Sequence, residues 1–256
     1  MARAAIRRRL TWQPATVALV RTETSSARSI VLDVPGWAGH VTGQHVDVRL
    51  TAEDGYATQR SYSIASAPEL DRLELTVQRV PDGEVSPYLT DVASAGDQLE
   101  VRGPVGGYFT WRPDALEPVL LVAGGSGIVP LMSMVRGRAA AHSRVPFRLV
   151  YSARSQADVI YAEELSRRVR DDRGLDVAFA YTRSTPSGWP RPPGRLDAAL
   201  LAEVGWPADF APAVFICGPT GFVEAAANLL VAQGHEARRI RTERFGPTGN
   251  QEAAAA

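Results

Sequence analysis

Two short stretches of this chain combine residue types suited to holding nucleotides. Arg60-Ser61-Tyr62-Ser63 offers a fixed cation, an aromatic face and hydroxyls within four residues. A guanidinium meets a diphosphate through bidentate hydrogen bonds, and a tyrosine ring stacks on a flat heterocycle. Ile64 follows in what reads as an alternating strand, so Arg60 and Tyr62 share one face and Ser61 and Ser63 the other. One domain's length later, Gly124-Gly125-Ser126-Gly127-Ile128-Val129-Pro130 follows the apolar run Val119 to Ala123 and opens a helical window. Glycines there let bare backbone N–H groups approach a phosphate, and the helix start adds a favourable dipole. The turn ends in Pro130, not in the glycine or alanine of the strict dinucleotide fingerprint, so a standard dehydrogenase is not the closest match. Ile128 fills the second glycine position of a serine-hydrolase elbow, which removes that reading too. Together the two stretches predict two nucleotides bound side by side.

The elements that position these groups differ between the two halves. From Thr16 to about Phe109 apolar residues alternate in short runs, such as Ser29 to Val34, His45 to Leu50 and Leu73 to Gln78, separated by glycine or proline. That pattern predicts an antiparallel β-barrel or sandwich. One helix interrupts it after Gly83-Glu84-Val85, with Ser86 as its expected N-cap and Pro87 in its first helical position. The half closes with Leu99 to Pro104. Past the proline-flanked connection Arg112 to Pro118, apolar strands alternate with helical windows, as in a parallel sheet wrapped by helices. Strands are expected at Val119 to Ala123, Phe147 to Ser152, Asp176 to Tyr181 and Ala213 to Cys217, and helices from near Ile128, Ala162, Asp197 and Thr220. The predicted architecture is two-domain: an antiparallel β-barrel over residues 14–112, then an α/β parallel-sheet, Rossmann-like domain over 117–247. Residues 1–13 and 248–256 read as flexible tails.

Composition excludes several chemistries. The chain has 256 residues, 45% of them apolar, enough for two well-cored domains. Its 28 basic and 28 acidic residues cancel, so neither nucleic acid nor an anionic membrane is expected as its main partner. All basic residues are arginine, which removes Schiff-base lysines and the phosphate-loop lysine. Cys217 is the single cysteine, so this chain supplies no disulfide, thiolate zinc site or iron–sulfur cluster. His40, His45, His142 and His235 are scattered without metal-ligand spacing and receive no chemistry. No stretch is long and apolar enough to span a bilayer, and Arg7-Arg8-Arg9 precedes no signal-type core, so no membrane insertion and a cytoplasmic location are expected.

Five ordered motifs carry a resemblance. Arg-x-Tyr-Ser at 60–63, Gly-x-x-Ser at 83–86, Gly-Pro at 103–104, Gly-Gly-x-Gly-x-x-Pro at 124–130 and Cys-Gly-Pro at 217–219 are similar to landmarks of the ferredoxin–NADP reductase family. The likeness spans roughly residues 14 to 247, and its C-terminal Glu-x-Phe resembles the bacterial oxygenase-reductase branch. It implies a flavin-binding barrel followed by a nicotinamide-nucleotide domain. By the same resemblance Arg60 binds the flavin diphosphate, Tyr62 packs on the isoalloxazine, and Ser63 hydrogen-bonds near its N5 edge. Ser61, Gln78, Gly83, Val85 and Ser86 join the flavin-binding set. Gly124, Gly125, Gly127, Pro130, Cys217, Gly218 and Pro219 hold the nicotinamide nucleotide. Cys217 lies against the nicotinamide in such proteins, and Glu243 and Phe245 border the flavin where plant-type members place a tyrosine. Ser63, Cys217 and Glu243 are therefore the candidate catalytic residues. The second phosphate site favours FAD over FMN.

Charge selects the donor. Enzymes choosing the unphosphorylated ribose place an acid after the second strand, whereas here Tyr151-Ser152-Ala153-Arg154 stands there, and no acid appears before Asp158. Thr182-Arg183 matches the Ser-Arg pair that holds the extra phosphate in plant-type relatives. Two charge-assisted contacts of ~1.5 kcal/mol each favour NADPH over NADH by ~100-fold. The expected function is passage of a hydride from NADPH to FAD and of single electrons to a separate acceptor: a ferredoxin, a flavodoxin-like protein or a metalloenzyme. Arginines on the barrel face are expected to form its docking patch. Two rivals stand beside it: a free-standing reductase of small molecules, and a nucleotide-binding electron-transfer subunit without turnover.

Overall fold

The computed structural model describes residues 10–68 and 72–245. These divide into two compact units, one of residues up to 113 together with 132–141, the other of 114–131 together with 142 onward.

The first unit is a six-stranded antiparallel sheet. Its strands are β1 (Gln13–Thr24), β2 (Ala27–Asp33), β3 (His45–Thr51), β4 (Ala57–Ser63), β5 (Leu73–Gln78) and β6 (Gln98–Val105), in the order β4-β3-β6-β1-β2-β5. An Ile64↔Leu75 bridge joins the two ends, so the sheet closes on itself. The alternation read in the sequence is the physical cause: Val46 and Val48 of β3, Ile30 and Leu32 of β2, and Leu73 and Leu75 of β5 all point into one core. Closure satisfies sheet edges that would otherwise stand open.

One expectation for this half is corrected, that of Ser86. Gly103-Pro104 lies inside β6, where His45 pairs with Val105 and Asp47 with Arg102, one residue out of step. The extra residue makes a bulge, and a Cβ on Gly103 would lie 2.7 Å from Val46, which is why a glycine stands at this bend. Ser86 is not an N-cap. The helical turn α1 (Val85–Pro87) is entered through Glu84, and Ser86 is its second residue, buried, with its hydroxyl accepting the Val80 amide at 3.1 Å. The chain then widens into a π turn over Tyr88–Val92.

The second unit is a five-stranded parallel sheet of β7 (Val119–Gly124), β8 (Phe147–Ala153), β9 (Leu175–Tyr181), β10 (Ala213–Pro219) and β11 (Ile240–Phe245), in the order β11-β10-β7-β8-β9. Helices α2 (Ile128–Ala140), α3 (Ala162–Asp171), α4 (Ala198–Val204) and α5 (Thr220–Ala232) connect them. Buried on both faces, β7 is apolar throughout. The fifth strand, β11, was not foreseen. Its sequence Ile-Arg-Thr-Glu-Arg-Phe is half exposed at the sheet edge and lacks the apolar run that marked the others.

Helix α2 belongs to both units. Its first turn follows β7, whereas its later residues pack with the barrel. Ser133 donates to the Ser66 carbonyl at 2.9 Å, and Arg136, 8% exposed, donates to the Ala65 carbonyl at 2.9 Å and to Glu74 at 2.8 Å.

Candidate functional site

In the barrel unit the Arg-x-Tyr-Ser stretch occupies β4, paired with β3 so that Arg60 faces Val48, Tyr62 faces Val46, and Ser63 faces His45. Cross-strand partners share a face, so the expected alternation holds: Arg60 and Tyr62 lie on one face with Val48 and Val46, and Ser61 and Ser63 on the other. Tyr62 is half-buried against the core, and burial pushes its hydroxyl up, with Arg60 partly opposing, so the ring is neutral. Arg60 is exposed and bonds only its neighbour, the Gln59 carbonyl at 2.7 Å. No acid among the described residues pairs with it. Its remaining donors are free for an anion. That is unusual on this surface, because Arg49, Arg72, Arg79 and Arg102 are each bonded to a carboxylate.

The remaining barrel candidates gather more loosely. Ser61 donates to Asp47 at 2.7 Å, and Gln78 ends β5 and reaches the Ser26 hydroxyl at 3.4 Å. Gly83 closes a turn on Val80, where an added Cβ would sit 3.1 Å from the Ser86 hydroxyl. Val85 and Ser86 are buried in α1. With three residues this helix supplies individual amides, not a summed dipole.

In the parallel-sheet unit the chain order reverses between β7 and β10, where open α/β sheets bind ligands outside their carboxyl ends. The glycine turn and Cys217-Gly218-Pro219 meet there. Gly125 adopts φ +54°, a left-handed conformation that favours glycine. Gly127 lies so close to the Cys217 carbonyl that an added Cβ would be 2.0 Å from its oxygen. Pro130 sits in the first turn of α2, where its missing N–H costs nothing. Cys217 is fully buried, and burial pushes its thiol well up, with Glu243 adding to the shift and the Gly218 amide opposing it. Glu243 stands beside Cys217 in the β10–β11 register, and Phe245 beside Pro219. The site is thus a cradle of close backbone with a neutral thiol at its floor. Phe222 was missed: its ring lies 2.7 Å from where a Gly124 Cβ would be and 2.9 Å from one on Gly218. Two glycines flanking one aromatic is the signal that could have found it.

Arg154 and Arg183 come together at the ends of β8 and β9. The Thr182 amide donates to the Ala153 carbonyl and the Arg183 amide to the Arg154 carbonyl, both at 2.9 Å. Both side chains are exposed. Arg154 approaches Asp158 at 4.0 Å, whereas Arg183 has no acidic partner among the described residues. Beside them Ser155, Gln156, Ala157, Ser184, Thr185 and Pro186 line an open hollow of about 410 Å³.

Comparison with known proteins agrees with both halves. The oxidoreductase FAD-binding domain model matches residues 16–110 and the oxidoreductase NAD-binding domain model matches 121–228. The chain is 35% identical over 209 residues to the glycine betaine monooxygenase reductase subunit of Pseudomonas aeruginosa, covering 80% of this chain and 56% of that one. It therefore spans little more than half the length of that relative. It is 34% identical to ferredoxin–NADP reductase B of Sorangium cellulosum, covering 79% of this chain and 84% of the relative. Among solved structures, a cytochrome P450 reductase of Amycolatopsis superposes with a TM-score of 0.81 at 27% identity, covering 95% of this chain and 72% of the other. Together with the cradle and the cation on β4, these matches make FAD and a nicotinamide nucleotide its cofactors, and the chain belongs to the ferredoxin reductase family of FAD- and NAD-binding oxidoreductases.

Proposed function

We propose that this chain takes a hydride from NADPH, holds the electrons on FAD and passes them singly to a separate protein acceptor of the ferredoxin or oxygenase-component class. Bound FAD supplies the conversion of an electron pair into single electrons. The chain's residues divide the remaining work. Arg60 neutralises the flavin diphosphate, and Tyr62 packs on the flat ring, its neutral hydroxyl adding no charge. Ser63 offers a hydroxyl at the N5 edge. Ser61 steadies β4 through Asp47, while Gln78, Gly83, Val85 and Ser86 shape the turn that receives the phosphates. Amides of Gly124, Gly125 and Gly127, with Pro130 fixing the helix entry, cradle the donor's diphosphate. Cys217, Gly218 and Pro219 form the floor for the nicotinamide, with Glu243 and Phe245 beside them. Cys217 acts by position, since its thiol stays protonated and cannot serve as a nucleophile.

The observation that carries the choice of NADPH is the backbone-locked juxtaposition of Arg154 and Arg183, with Arg183 lacking an acidic partner among the described residues and Thr182 adding a hydroxyl. Support for a protein acceptor comes from relatives that are reductase components, and a cytoplasmic location belongs to the same reading. An anaerobic titration tests it. The purified chain loaded with FAD should bleach in its flavin absorbance on addition of NADPH, and need about 100-fold more NADH for the same rate. Equal rates with both donors would overturn the choice of donor, and no bleaching with either would overturn the flavoenzyme reading.

A further inference from the structure

Gly124 has no conformational reason to be a glycine. Its backbone is extended, φ −116° and ψ 112°, a region open to every residue. What excludes a side chain there is the ring of Phe222: a Cβ on Gly124 would meet Cδ1, Cγ and Cε1 of that ring at 2.7, 2.8 and 2.9 Å, its three nearest neighbours. Gly218 shares the ring, with an added Cβ 2.9 Å from the same Cδ1 and 3.1 Å from the Gly124 Cα. Because Cys217 pairs with Ala123, β10 and β7 deliver Gly218 and Gly124 side by side at their carboxyl ends. Phe222 reaches both from the first turn of α5, whose buried stripe of Val223, Ala226 and Leu230 fixes the rotation of the helix and so aims the ring. The two turns also touch at a second place. An added Cβ on Gly127 would lie 2.0 Å from the Cys217 carbonyl oxygen and 2.7 Å from the Gly218 amide nitrogen. They are thus locked at two points, backbone on backbone at Gly127 and backbone on ring at Phe222.

We propose that Phe222 is a positioning residue for hydride transfer, its ring being the spacer that sets how far the turn holding the donor's diphosphate stands from the turn receiving its nicotinamide. The proposal rests on the reading that gives those two turns those two tasks. Affinity and rate then depend on different ends of the donor. The phosphates anchor it through charge-assisted hydrogen bonds, which a small shift of the Cys217-Gly218-Pro219 turn leaves intact. Transfer is far less tolerant, since reacting atoms must approach to about 3–3.5 Å and a misplacement of about 1 Å costs about 100-fold. Without the ring, two glycine backbones would face a void, and glycine resists displacement least of all residues. A ring that only filled the core would lower stability when removed and leave the balance of rate and affinity untouched.

The test uses the full chain loaded with FAD. F222A should lower the limiting rate of anaerobic flavin bleaching at saturating NADPH at least tenfold, while the Kd for NADP+, read by calorimetry, stays within about threefold of wild type. F222L, which keeps an apolar side chain over the glycines, should recover most of the lost rate. A second readout needs no turnover. G124A should lower the Tm by about 3 °C or more in the wild-type background and by less than about 1 °C beside F222A, because the methyl then enters the space the ring has left. An F222A limiting rate within about twofold of wild type, a Kd that weakens as much as the rate falls, or a G124A loss equal in both backgrounds would each overturn the proposal. If F222A does not fold, F222L beside G124A decides: a G124A loss reduced by F222L upholds the spacer, and an equal loss overturns it. Failure of NADPH and NADH to bleach the wild-type flavin would instead overturn the underlying flavoenzyme reading.

Discussion

Arg60, Arg154 and Arg183 could be picked out of the sequence because Arg60 shares a short strand with Tyr62 and Ser63, and Arg154 and Arg183 each directly follow an apolar run. What the sequence could not supply is the contrast that gives Arg60 meaning: most neighbouring barrel arginines are bonded to carboxylates on other strands, and those pairings follow only from the register. Phe222 was hidden likewise, since its two glycine neighbours lie on β7 and β10. At this scale the prediction concerns the phosphate on the donor. Arg154→Ala with Arg183→Ala should lower kcat/KM for NADPH by about 100-fold and leave that for NADH within about threefold, measured by steady-state reduction of ferricyanide. An unchanged NADPH/NADH ratio would sink the assignment.

Among elements, β7 and β10 were legible because buried parallel strands are apolar, and β8 and β9 because an apolar run survives beside Arg148 and Asp176, while their helices begin where capping or turn residues announce them, as Asp197 does by accepting the Leu200 amide at 2.7 Å. β11 was not, because an edge strand with one wet face carries charges that mimic a loop. The α1 turn was half legible: Ser86-Pro87 marks a helix start in general, but here the Val80 amide takes the serine hydroxyl and shifts the entry to Glu84. The β7–α2 turn is the element whose geometry is most demanding. Gly127→Ala would drive a methyl into the Cys217 carbonyl, an overpacking cost of roughly 1–3 kcal/mol that is relieved only by moving the turn. The expected outcome is a Tm lower by about 4–10 °C with FAD still bound, and at least tenfold weaker dinucleotide binding, read by calorimetry and by spectral titration. Wild-type dinucleotide affinity in G127A would show that the turn does not touch the ligand.

For the whole molecule, the change of period in the sequence, from two to helical, anticipated an antiparallel and a parallel sheet in that order. Among the described residues no cluster of three or more His, Cys, Asp or Glu could hold a metal, and no helix is long and apolar enough to cross a membrane. On the proposed function the electrons leave for a separate protein acceptor. Cytochrome c reduction by the FAD-loaded chain with NADPH should rise at least tenfold when a suitable ferredoxin is added, and no stimulation by any protein acceptor would favour direct reduction of small molecules. The sequence did not reveal that α2 is shared. Its later half closes hydrogen bonds on the Ala65 and Ser66 carbonyls and on Glu74, all of them barrel groups. During synthesis, then, the ribosome finishes the last barrel strand well before the barrel has its last partners. These hydrogen bonds can close only after β7, the glycine turn and α2 have also emerged, and a chain cut at residue 113 would leave those carbonyls to water.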